Sequence, residues 1–250
     1  GARIVSKANF TTVGGINLSA PLITVDQATI FARSVNEFQG GAITLSGNTL
    51  TISGASEILS STEQSTGQGG AITLAASDTV SVSSGSIIGS STLAAAEGPA
   101  GPITITADNL VALSGTGTGL FSESFGSGDG GAITVQANQV QLTAGAVISA
   151  KSTGSGAAGS VTIEGNSPAQ SVLIDGVASG IFTDTQGTGA GGNIFVNANL
   201  VTLQNGGTLS AKTSGTDATA TGGSIAVNTT DQVTMTSGAL ITASSTGPGD

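Results

Sequence analysis

Across 250 residues the chain has no cysteine, histidine, tryptophan or tyrosine. Without cysteine there are no disulfides and no thiolate chemistry, and without histidine zinc sites and histidine-based proton transfer are excluded. Charge is scarce as well, at 8% of residues, against roughly 25% in ordinary soluble domains. Low charge can mark a membrane protein, but no run approaches the ~18 consecutive apolar residues of a spanning helix, so no membrane-spanning segment is expected. The 15 acids outnumber the 5 bases and leave a net charge of −10. Nucleic acid is therefore not an expected partner, since its phosphates are held by clustered Lys and Arg. The opening "GARIVSKANF" does not read as a signal peptide.

What the chain has in quantity is glycine, 40 of its 250 residues, with Ser, Thr and Ala beside it. Ile, Leu and Val recur at regular places, which argues against disorder. Anchored on a glycine pair or its substitute, units start at Gly14, Gly40, Gly69, Gly101, Gly130, Gly159, Gly191 and Gly222. A period of about 30 residues lies in the range of solenoids. After each anchor comes an alternating apolar pair, such as Ile72/Leu74, Ile103/Ile105 and Ile133/Val135. A period of two is the mark of a half-buried strand.

Asn or Asp follows, at Asn48, Asp78, Asn109, Asn138, Asn166, Asn199 and Asp231, and is expected to form left-handed corners. A second alternating pair succeeds it, then a glycine-containing corner. A third apolar position ends the pattern, at Ile30, Ile58, Ile88, Leu120, Ile148, Ile181, Leu209 and Ile241, with a small residue two places on. No 3.6-residue stripe persists, so helices are excluded.

A unit of three short strands cannot bury its own apolar face, but copies stacked ~4.8 Å apart can. The expected fold is therefore all-β, a right-handed parallel β-helix (β-solenoid) of about eight coils, each with about 30 residues and three strands. The right hand follows from the general chirality of parallel crossovers. Residues 1–250 are expected to form one solenoid segment, with 1–13 the tail of a preceding coil and 14–250 the repeats. The closing "SSTGPGD" matches the stretch ahead of a glycine pair, so a longer array continuing past Asp250 is expected. Length variation gathers between the third strand and the next glycine pair, as in Ser91–Ala100 and Thr213–Gly222.

With the repeat laid out, the chain resembles the large filamentous-haemagglutinin-type exoproteins of two-partner secretion systems. The resemblance covers nearly the whole chain and rests on a recurring grammar, as in "GGAITVQANQVQLTAGAVISA" from Gly130 to Ala150. It implies a long right-handed β-helix on a Gram-negative or cyanobacterial-like surface, serving as an adhesin, filament or toxin stalk. The localisation implied is extracellular. The matching positions are structural, so the resemblance assigns no functional residue.

The chemistry-bearing candidates point the same way. A phosphate cradle needs a following helix and usually a Lys, whereas each glycine pair here feeds a strand, and the glycines are read as turn residues. "GSGDGG" around Asp129 hints at calcium, but equivalent corners read "GQGG", "GAGG" and "TGG". One carboxylate is too few for six to eight oxygen ligands, so neither metal nor cofactor is expected. Asp26, Glu57, Asp78, Asp108, Glu164, Asp175 and Asp231 sit at differing offsets, so no catalytic residue is expected and the chain is read as no enzyme. An outward Thr column (Thr44, Thr73, Thr104, Thr134, Thr162) is read as strand surface in preference to an ice-binding array.

The column Arg33, Ser61, Ser91, Glu123, Lys151, Asp184, Lys212, Ser244 alternates sign over four consecutive coils. Opposite charges on adjacent rungs are expected to pair and to fix register. Phe31, Phe121 and Phe182 either form an outward lateral strip or turn inward at a bulge. The function expected is a structural or adhesive rod. The alternatives are a carbohydrate-active, pectin-lyase-like β-helix enzyme and a polysaccharide-binding adhesin. Expected partners are copies of the chain itself, end to end or laterally, and glycans or proteins of host or neighbouring cell surfaces.

Overall fold

The computed structural model describes residues 1–8, 13–34, 38–62, 66–93, 97–165, 169–215 and 220–246. Asn166, Asp250 and parts of the two variable loops (94–96 and 216–219) lie outside the described residues. Among those described, every regular element is a strand, and strands pair in parallel with their equivalents one turn away. The chain is a β-solenoid with a repeat of about 30 residues, the class its periodicity predicts.

Two sheets carry the fold. The nine-stranded sheet takes the third strand of each turn, running from Arg3–Ala8 through Thr29–Ser34 to Leu240–Thr242. At ~4.8 Å per rung its nine strands rise ~38 Å. The twelve-stranded sheet takes the first and second segments together. These run on as one strand in Ile43–Ser53, Ile72–Ser83, Ile194–Gln204 and Ile225–Met235. Elsewhere they separate, as in Ile133–Gln136 and Gln139–Thr143.

The Asn/Asp column therefore needs a different account from the left-handed corner expected of it. None of its described members has positive φ. Asn48, Asp78, Asn199 and Asp231 lie inside continuous strands, with register shifts between Gly47 and Thr49 and between Ala198 and Leu200. Their side chains bond between rungs: Ser77 Oγ donates to Asn48, Asn109 Nδ2 to Asp78, and Thr230 Oγ1 to Asn199. Asn suits a ladder as well as a turn, because its amide both donates and accepts.

Left-handed backbone occurs instead between the second and third strands. Successive residues such as Ser84–Gly85, Ala144–Gly145 and Asn205–Gly206 have positive φ. The turns close with i+3 hydrogen bonds, Ser86 N to Ser83 O and Ala146 N to Thr143 O. Their remaining N–H groups find hydroxyls on the next rung: Gly85 N donates to Thr118 Oγ1 and Gly145 N to Ser179 Oγ, both at 2.9 Å.

The glycine pairs do a different job, since none has positive φ. They sit where the chain leaving the third strand passes over the turn below. A Cβ on Gly131 would lie 2.5 Å from Gly101 O and 2.7 Å from Ala100 O. Close approach, not turning, selects glycine there.

The core is a set of apolar stacks between the sheets. Ile43, Ile72, Ile103, Ile133, Val161 and Ile194 form one, each 0–1% exposed and in register with its neighbours. Burying such a side chain contributes ~1.5–3 kcal/mol, which offsets the cost of ordering a glycine-rich backbone. The third strand extends further inward than its apolar residue. Four positions beyond it stands a hydroxyl ladder bridged rung to rung, buried at Ser34, Thr62, Thr92, Ser124, Ser152, Thr185 and Thr213 and half-buried at Ser245. Thr185 Oγ1 donates to Ala190 O at 2.7 Å and accepts from Ala158 N, whereas Ser152 Oγ has no hydrogen-bond partner. Ser152→Ala is therefore expected to be neutral or stabilising by up to ~1 kcal/mol, and Thr185→Val to cost ~1–3 kcal/mol, in paired urea melts.

Candidate functional site

Among the described residues the acids do not converge on a common point. Asp26 accepts from Ser53 Oγ at 2.7 Å, Glu164 from Gln136 Nε2 at 2.9 Å, and Asp78 from Asn109. Asp175 accepts from Asn205 Nδ2 at 2.8 Å and Gln204 Nε2 at 3.1 Å. Those two amides, Asn205 first, hold its carboxyl below the usual carboxylate range. In each case the donor lies on an adjacent rung, one turn away in sequence. Asp129 follows the rule, accepting from Ala157 N at 2.8 Å. Among the described residues no group of three or more acids is placed to hold a metal ion.

The small residues of the third strand have a local role that their size alone does not announce. Ser60, Ser90 and Thr183 are buried and donate to the glycine-pair carbonyls of Gly41, Gly70 and Gly192 at 2.6–2.7 Å. Each hydroxyl thereby satisfies an acceptor that the close chain crossing would otherwise strand. A hollow of about 410 Å3 lies against Arg3, Gln27, Thr29 and Glu57, and it brings one carboxylate and one guanidinium to the same wall. The Thr column is in register through Thr44, Thr73, Thr104, Thr134 and Thr162 and passes to Phe195 on the next rung.

The outer face of the nine-stranded sheet is the most differentiated surface. Phe31, Phe121 and Phe182 stay on the outer side of regular strands, so the inward bulge does not occur. The Phe121 and Phe182 rings fold back along the strand over Gly119 and Gly180, where a Cβ would stand 2.8 and 2.9 Å from a ring carbon. Their rung neighbours are small: Phe121 lies between Gly89 and Ser149, and Phe182 between Ser149 and Ser210. Lys151 Nζ sits 4.7 Å from the Phe182 ring centre and Arg33 Cζ 5.9 Å from that of Phe31.

The alternating charge column runs beside these rings, with contacts other than the direct ion pairs expected of it. Glu123 accepts from Ser149 Oγ. Asp184 accepts from Ser210 Oγ at 2.6 Å and from the Lys212 backbone N–H at 2.9 Å. The hydroxyls win because they sit on short side chains already fixed on the next rung, whereas a Lys must give up side-chain entropy to reach a carboxylate. Lys151 acts on Glu123 only through space.

Burial pushes the Glu123 carboxyl above its usual range, against the Ser149 hydroxyl and the Lys151 charge, which both pull it down. The folded chain thus holds the proton more tightly than the unfolded one, and stability is lost as pH rises through that raised value. Glu123→Gln is expected to raise the melting temperature at pH 7, with the gain vanishing below the ordinary glutamate range. Melts across that pH interval check it.

Fold and surface together define a repeat protein of the β-solenoid class, with many of its polar side chains bonded between rungs. No family model, no curated protein and no solved structure matches the chain.

Proposed function

We propose that the chain is a structural or adhesive segment of a bacterial surface exoprotein of the filamentous-haemagglutinin type, working outside the cell as a rigid rod and without catalysis. The observation that carries this reading is the direction of the polar bonds. Asp26, Asp78, Glu123, Glu164, Asp175 and Asp184 all bond to a neighbouring rung, so these six carboxylates tie the stack together along its axis. Parallel ladders and unbroken apolar stacks resist bending and transmit load along the axis, which is what a stalk requires.

Electron microscopy of the native assembly tests the proposal. Rods or filaments lengthening by ~4.8 Å per turn are expected. Isolated compact particles would contradict a stalk.

A further inference from the structure

On the outer face of the nine-stranded sheet, four consecutive rungs carry Glu123, Lys151, Asp184 and Lys212, each one residue before the bridged ladder Ser124–Ser152–Thr185–Thr213. Read from either end, the signs are opposite: minus, plus, minus, plus against plus, minus, plus, minus. Such a column is its own complement under a two-fold axis that reverses the stacking direction. We propose that this face binds a second copy of the chain, antiparallel, about an axis parallel to the strands and midway between the Lys151 and Asp184 rungs.

In that arrangement Glu123 meets the partner's Lys212 and Lys151 meets the partner's Asp184, with the reciprocal pairs completing four. Neighbouring registers fail. An axis on the Lys151 rung sets Lys151 against itself and Glu123 against the partner's Asp184. An axis on the Asp184 rung sets Asp184 against itself and Lys151 against the partner's Lys212. Like charges there exclude the wrong alignment as effectively as opposite charges favour the right one.

The adjacent column obeys the same symmetry through size, an independent observation. Phe121, Ser149, Phe182 and Ser210 occupy the same four rungs. Ser149 and Ser210 are 1% and 3% exposed and lie beneath the carboxylates of Glu123 and Asp184, which must leave the serines for the partner's lysines before two troughs open between the half-buried rings. The two-fold axis places Phe182 over the partner's Ser149 and Phe121 over the partner's Ser210. The four rings then interleave at ~4.8 Å, within the range of offset aromatic stacking. Lys151, now resting on Phe182, is freed to reach the partner's Asp184.

Four rungs by three columns is a patch of ~19 Å by ~20 Å, or ~400 Å2 on each copy, so the contact belongs with weak interfaces. Parallel rods would instead set the charged column against Gly119, Val147 and Gly180, where no complement exists. The proposal rests on the rung order of this face and not on the stalk reading. A monomeric rod would overturn the dimer and leave the stalk standing, while compact particles in micrographs would overturn the stalk alone.

Sedimentation equilibrium of the full chain at low salt and high concentration is the test, with circular dichroism confirming fold. A monomer–dimer equilibrium that added salt weakens is expected. Lys212→Glu, at an exposed position, and Lys151→Glu should each weaken it about tenfold. The double variant Lys151→Glu/Asp184→Lys reads minus, minus, plus, plus, again its own complement, and should restore association. Should it fail to fold, Glu123→Lys/Lys212→Glu has the same self-complementarity and serves in its place. A monomer throughout, association indifferent to salt and to both lysine variants, or no recovery in a folded double variant would each overturn the proposal.

Discussion

Gly131→Ala is expected to destabilise the chain by about 3 kcal/mol or more, although it adds a single methyl group. The new carbon would press on Ser122 Oγ and stand 2.5 Å from Gly101 O. Two of the atoms it meets are backbone carbonyl oxygens held in the turn below, so nothing nearby can yield. Gly85→Ala is the control. Gly85 has φ +74° and a Cβ there would have Thr116 O at 3.8 Å as its nearest neighbour, so only the left-handed penalty of about 1–2 kcal/mol applies. At roughly 2–4 °C per kcal/mol for a chain of this size, Gly131→Ala should lower the melting temperature by about 6–12 °C. A larger loss at Gly85 would show that turning, and not close approach, selects the paired glycines.

The second large effect is expected in the core. Ile133 is fully buried, with Ile103 on one rung beside it and Val161 on the other. Ile133→Ala should cost about 2–5 kcal/mol, because a stack fixed at both sides collapses little into the space left. Ile225 holds the same column position and pairs with Ile194, but it is only partly buried. Ile225→Ala should cost about 1 kcal/mol, since less apolar surface is taken from water. Urea melts of the two variants measure the difference. Equal costs would mean that the column does not act as a graded stack.

How far the sequence disclosed this structure depends on how many roles a residue type can play. The apolar columns were legible because Ile, Leu and Val at period two in a glycine-rich chain have one reading. The position of the glycine pairs was legible and their reason was not, since a left-handed turn and a tight crossing both demand a missing Cβ. Asn48 and Asp78 were misplaced at turns for a similar cause, as the side chains that favour turns also bond well across parallel rungs. The buried ladder from Ser34 to Thr213 went unseen because serine and threonine are ordinarily surface residues. Its signal was present all along: a hydroxyl stands four residues after the third apolar position in every turn, continuing the inward alternation.

The surface was read in part. The sign alternation from Glu123 to Lys212 was visible, and so was the outward option for Phe121 and Phe182. What only coordinates supply is the contact order on each rung. Ser149 and Ser210 take the carboxylates, and Lys151 turns to the Phe182 ring. Short side chains one rung away outcompete long ones, a preference no residue count carries.

The central claim is that each turn is an interchangeable module held by the rungs beside it. An in-frame deletion of one whole turn, residues 101–129, brings the turn starting at Gly69 directly under the one starting at Gly130. Thermal unfolding of that variant, followed by far-ultraviolet circular dichroism, is the most direct test. The account predicts an unchanged β-sheet signal per residue and a cooperative transition at a modestly lower temperature. Loss of the β-sheet signal on removing a complete turn would contradict it.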